Sequence, residues 1–81
     1  MKREQWKGRV VGILSGIAPE IEPERLEDAT DLRQDLDLDS MDLLSLVEAI
    51  HEQFGVAIPD ADASGLRTLG ELVGYLDEHT P

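Results

Sequence analysis

With 81 residues and no cysteine, the chain makes one small domain, residues 1–81, with no disulfide, no thiolate metal site and no thiol nucleophile of its own. Its 7 Lys and Arg against 18 Asp and Glu give a formal charge of −11, which disfavours nucleic acid and anionic membrane as partners and favours basic protein surfaces. Acidity of this kind also arises from solubility alone, so charge by itself names no partner.

The first predicted element is a helix from about Glu4 to Ile17, with Trp6, Val10, Ile13, Leu14 and Ile17 as its inward stripe. Gly8, Gly12 and Gly16 recur every four residues, each costing about 1 kcal/mol of helix propensity against alanine. This helix is therefore expected to depend on docking, with its glycines allowing a neighbouring helix or loop to come close. The basic residues Lys2, Arg3, Lys7 and Arg9 ahead of the apolar stretch 10–18 superficially resemble a secretory signal. There is no convincing small-x-small cleavage site, and cleavage near Ala18 would remove a helix the fold needs. No run approaches the roughly 18 apolar residues of a spanning helix. The chain reads as cytoplasmic.

Pro19 and Pro23 open a long connection, Ala18 to Leu38. A segment of this length belongs in a small domain only if it is pinned or functional. Ile21, Leu26, Leu32 and Leu36 are spaced to pin it. The alternation Asp35, Asp37, Asp39 invites comparison with an EF-hand calcium loop. Counted from Asp35, the position that needs glycine holds Ser40 and the one that needs a bidentate glutamate holds Leu46, so no EF-hand is present. Weak, non-specific divalent binding by the acidic run stays open, and no metal site is assigned.

The best-patterned helix begins at Asp39 or Ser40, both competent caps, with Asp42 placed three residues after Asp39 as a capping box requires. Leu43, Leu46, Val47, Ile50 and Phe54 form one apolar stripe, and Gly55 stops the helix. Ser40 falls in the first turn, near backbone N–H groups without intrahelical partners, where the helix dipole favours a phosphate. Met41 and Leu44 lie off the stripe beside that serine, either as a docking surface or as the edge of the core.

Val56 to Pro59 reads as an extended connector, because Pro59 disfavours α conformation at Ile58. Asp60 to Leu66 has room for one short helical turn, weakened by Gly65. Thr68 and Glu71 make a capping box for a last helix with the stripe Leu69, Leu72, Val73 and Leu76 and with Tyr75 at its edge. Asp77, Glu78 and His79 are expected in a frayed terminus. The fold class is all-α: a small four-helix bundle, three main helices plus one short helix, with a long first loop. No enclosed cleft or paired base points to catalysis, and His51 is expected on the solvated side of the second helix. The chain reads as a non-enzyme.

Asp39-Ser40-Met41, then Asp42-Leu43-Leu44, then Phe54-Gly-Val-Ala-Ile58-Pro59-Asp60, resemble an acyl carrier protein from about Asp31 to Leu76, and more loosely back to Trp6. The resemblance implies that Ser40 bears 4′-phosphopantetheine covalently, with Asp39 beside it assisting recognition or the magnesium used in loading. It implies a carrier of acyl or aminoacyl groups as thioesters, monomeric, presented to partner enzymes. Those partners would be a phosphopantetheinyl transferase and acyl- or aminoacyl-loading ligases, synthases or transferases with basic docking surfaces. They would read Met41, Asp42, Leu44, Glu48 and Glu52. The interior between Leu46, Val47, Ile50, Phe54, Leu66 and Leu72 would either sheath a short acyl chain or form a dry, filled core, which has the same sequence signature. Three departures lean toward a specialised pathway, polyketide or amino-acid rather than housekeeping fatty-acid synthesis. Asp37 stands where the family usually has glycine, Ser45 and His51 interrupt the acidic outer face, and Met41 follows the serine. The alternative is an acidic helical interaction module without a prosthetic group.

Overall fold

The computed structural model describes residues 2–79. In chain order its elements are α1 (Arg3–Ile17), a 3₁₀ turn at Pro23–Arg25, α2 (Ser40–Phe54), α3 (Asp60–Ala63) and α4 (Leu69–His79). Three principal helices and one short one match the expected bundle. The extended pairing among the described residues is a single isolated antiparallel bridge, Asp31 with Thr68.

α1 starts where the Gln5 side chain folds back to accept the Lys2 backbone N–H at 3.1 Å, with Glu4 favourably placed in the first turn. Trp6, Val10, Ile13 and Leu14 turn inward as their spacing requires. Ile17 is only half-buried, and Ala18 takes the last buried place instead. α1 packs against both α2 and α4. The indole of Trp6 meets the ring of Phe54 edge-on, with centroids 4.9 Å apart and planes at 87°, a geometry aromatic quadrupoles favour.

The glycine expectation is corrected. Gly8, Gly12 and Gly16 are exposed, and a Cβ at any of them would meet nothing within 4 Å. They share a face with one another, but about half a helical turn away from the Trp6–Val10 stripe, so they look to solvent. The close approaches occur in α4. A Cβ on Gly70 would lie 2.9 Å from the Asp28 Cβ and 3.0 Å from its carbonyl oxygen, because the Gly70 N–H donates to that same oxygen at 2.9 Å. Gly70→Ala is thus expected to cost about 1–2 kcal/mol despite alanine's better helix propensity, whereas Gly12→Ala should gain up to ~1 kcal/mol. Urea unfolding midpoints of the two variants should move in opposite directions.

The long connection is pinned chiefly by backbone. The N–H groups of Leu69 and Gly70 donate to Thr30 and Asp28, and that of Leu32 donates back to Arg67 at 2.8 Å. Leu26, Leu32 and Leu38 are buried, while Ile21 and Leu36 are half-buried against the same core. Asp31 caps the turn that follows, its Oδ1 accepting from the backbone N–H groups of Arg33 and Gln34. Asp35 Oδ2 accepts from Asp31 N–H at 2.7 Å. The bonds from Gln34 and then Arg33 hold the Asp31 carboxyl below the usual aspartate value. A lowered folded-state pKa contributes stability above the ordinary aspartate range and loses it as pH falls through the lowered value. Asp31→Asn is expected to flatten this acid limb in urea unfolding measured across pH.

α3 is the single short turn expected between Asp60 and Leu66, and it spans Asp60–Ala63. One end differs from expectation. α4 stays helical to His79, whose ring stacks on Tyr75 at 3.8 Å while Nδ1 lies 2.8 Å from the Tyr75 carbonyl oxygen. Those local contacts hold the last turn that charge and position alone marked as frayed. At its start, Thr68 Oγ1 accepts the Glu71 N–H and donates to the Glu71 carboxylate, both at 3.1 Å.

Candidate functional site: the start of α2 and the groove beside it

Asp39 is the N-cap of α2, with an extended backbone. Its Oδ1 accepts the Asp42 N–H at 2.9 Å, and Asp42 Oδ2 accepts the Asp39 N–H at 3.3 Å. The reciprocal box ties down two donors that would otherwise be orphaned. It also fixes Ser40 as the first residue inside the helix. Ser40 is exposed, and its hydroxyl makes no hydrogen bond among the described residues. At the other end Gly55 adopts the left-handed conformation, φ 72°, and its N–H closes on the His51 carbonyl at 2.9 Å.

Two residues before the cap, Asp37 has φ 56°. This is the left-handed backbone that the comparison with glycine anticipated, and aspartate tolerates it at some cost. Asp37→Gly is expected to stabilise the fold by about 0.5–1 kcal/mol, the relief of strain being partly offset by the greater freedom of glycine in the unfolded chain. The urea midpoint should rise.

Ser40 opens onto a groove of about 240 Å³. Leu43, Leu44, Leu46 and Val47 of α2 line one side, and Ile58, Asp60, Ala63, Ser64 and Leu66 the other, with Leu72 at the base. Of the residues expected to sheath an acyl chain, Leu46, Val47, Leu66 and Leu72 do line this space. Ile50 and Phe54 do not. Ile50 is completely buried in the bundle, and Phe54 is turned toward Trp6. Arg33 from the long connection also lines the groove; no local pattern marks it, because its place depends on how the connection folds back.

The outer face of α2 gathers most of the predicted docking residues. Met41, Leu44, Glu48 and Glu52 are all exposed, and their spacing puts them on one stripe with Ser45. Met41 is 68% exposed and Leu44 46%, so neither is an ordinary core edge. Asp42 lies about a quarter turn away and spends a carboxylate oxygen on the capping box. His51 is exposed, as expected. No three acidic or imidazole side chains are gathered as a metal site among the described residues.

A family model described as a phosphopantetheine attachment site matches residues 9–76. The chain is 39% identical over 59 residues to an acyl carrier protein from Zymomonas mobilis, covering 73% of this chain and 76% of that protein. The chain belongs to the acyl carrier protein family. It is also 34% identical over 79 residues to the mitochondrial acyl carrier protein of Saccharomyces cerevisiae, covering 94% of this chain but only 63% of that one. Its fold superposes on the acyl carrier protein from Enterococcus faecalis with a TM-score of 0.83 and 30% identity, over 99% of this chain and 100% of that one. As an acyl carrier protein it takes covalent 4′-phosphopantetheine as cofactor. The residues suit that group: an exposed, unpartnered hydroxyl at a helix N-terminus, next to an apolar groove.

Proposed function

We propose that Ser40 is the attachment point, and that the chain holds acyl or aminoacyl groups at the end of the arm and presents them to other enzymes without catalysing a reaction itself. The observation that carries this reading is the Ser40 hydroxyl, exposed at the first position of α2 and opening onto the groove. A transferase using magnesium would move the phosphopantetheine portion of coenzyme A onto Ser40 Oγ. The phosphate then sits where free N–H groups and the helix dipole stabilise negative charge. The bound arm supplies a terminal thiol, which the cysteine-free chain lacks.

Asp39 keeps its second carboxylate oxygen beside the attachment point, where it serves recognition or the loading magnesium. Met41 and Leu44 give partners an apolar contact, and Glu48 and Glu52 meet basic patches. Asp42 supports the site by fixing the cap and meets partners only from the side. The groove between α2 and α3 sheaths a short acyl chain at its mouth rather than in the deep core. Exposed Ser45 and His51 interrupt the acidic face, which supports a specialised pathway over housekeeping fatty-acid synthesis. No described helix is long and apolar enough to cross a membrane, and α1 is a core helix whose removal near Ala18 would dismantle the bundle. The place of α1 in the core supports the cytoplasmic reading. Incubation with a broad phosphopantetheinyl transferase, magnesium and coenzyme A is expected to raise the intact mass by about 340 Da, the formula mass of the arm. An unchanged mass would leave the chain as an acidic interaction module.

A further inference from the structure

We propose that the Tyr75 hydroxyl and the Asp62 carboxylate form a latch that holds α3 in place as one wall of the groove beside Ser40, which makes Tyr75 a positioning residue for the cargo. Besides this bond, α3 rests on the partly buried Ala63, which packs against the core. It is one turn long, and none of its residues is fully buried. The hydrogen bonds around it run within its own segment: Asp62 and Ala63 N–H to the Pro59 carbonyl, Ser64 N–H to Asp60, and Ser64 Oγ to the Ala61 carbonyl. So short a helix has no stability of its own. Yet Asp60, Ala63 and the following Ser64 and Leu66 form most of the wall that faces α2.

The Tyr75 hydroxyl donates to Asp62 Oδ2 at 2.8 Å and so ties this turn to α4. Asp62 is not among the residues lining the groove, so the tie is made away from the cargo side. Tyr75 is a firm anchor. Its ring is half-buried against the core and stacked on His79. The same hydrogen bond, with its charge-assisted acceptor, raises the Tyr75 pKa. A bond of this kind shifts a local opening equilibrium without setting the stability of the whole bundle.

The role in holding cargo rests on the carrier function proposed above; the latch itself does not. Native-state hydrogen exchange on the unmodified protein tests it directly. Tyr75→Phe and Asp62→Ala are each expected to speed exchange of the Ser64, Gly65 and Leu66 amides about five- to tenfold. The double variant should exceed neither, while the Leu14 and Ile50 amides stay unchanged. Unchanged exchange, additive effects, or an equal change at Leu14 and Ile50 overturns the latch. In protein carrying an octanoyl group on the arm, hydroxylamine should cleave the thioester several-fold faster in either variant than in the wild type. Equal cleavage overturns the positioning role. A wild-type chain that never accepts the arm counts against the carrier function, and leaves the exchange result to decide the latch.

Discussion

Ser40→Ala is expected to abolish the gain of about 340 Da completely, while Ser45→Ala and Ser64→Ala still acquire it. The three serines differ in what surrounds the hydroxyl. Ser64 Oγ is committed to the Ala61 carbonyl at 3.0 Å. Ser45 lies one turn into α2, where the backbone N–H groups already serve helix bonds. Ser40 alone of the three combines an exposed hydroxyl with the first helical position, where donors and dipole stabilise the phosphate formed. The fold should survive the change, because the Asp39–Asp42 box and the buried Leu46 and Ile50 are untouched. Intact mass spectrometry with a far-UV circular dichroism control reads both points. An undiminished mass gain in Ser40→Ala would move the attachment elsewhere.

Trp6→Ala is expected to lower stability by about 3–5 kcal/mol, most of what a domain this small has to lose. Trp6 is 1% exposed and joins α1 to α2 through Phe54. Truncation leaves a cavity that neighbouring helices cannot close without shifting. The indole adds a second, opposing effect. Its Nε1–H is buried and has no acceptor among the described residues. A buried donor left unpaired costs about 1–3 kcal/mol. Both variants remove that donor, but Trp6→Phe keeps much of the ring, so it is expected to cost far less than Trp6→Ala. Urea unfolding followed by circular dichroism compares them, since both variants lack the chain's only tryptophan. Equal losses would show that the ring kept by Trp6→Phe contributes nothing, and a Trp6→Phe loss as large as its lost volume alone requires would show that the unpaired donor carries no penalty.

Much of the candidate site was legible in the sequence because its determinants are local. A cap and its box partner three residues apart, an apolar stripe at helical spacing and a glycine at the stop define α2, and the structure reproduces each at Asp39, Asp42, Leu46, Ile50 and Gly55. The left-handed residue before the cap was legible as well, through the glycine usual at Asp37. The glycine stripe of α1 misled because spacing shows which residues share a face but not what that face meets. His79 was misplaced because helix ends depend on contacts as small as one ring on another.

By itself, then, the sequence determined the helices, their buried faces and the serine that starts α2, since each follows from interactions within one or two turns. Tertiary structure alone decided where the long connection lies, that Arg33 borders the groove, that Gly70 must be small, and that Tyr75 reaches Asp62. The physical reason is that backbone groups of Asp28, Thr30 and Leu32 pair with those of Arg67, Leu69 and Gly70. Backbone N–H and carbonyl groups are the same at nearly every residue, so such pairing leaves no pattern in side chains from which it can be read.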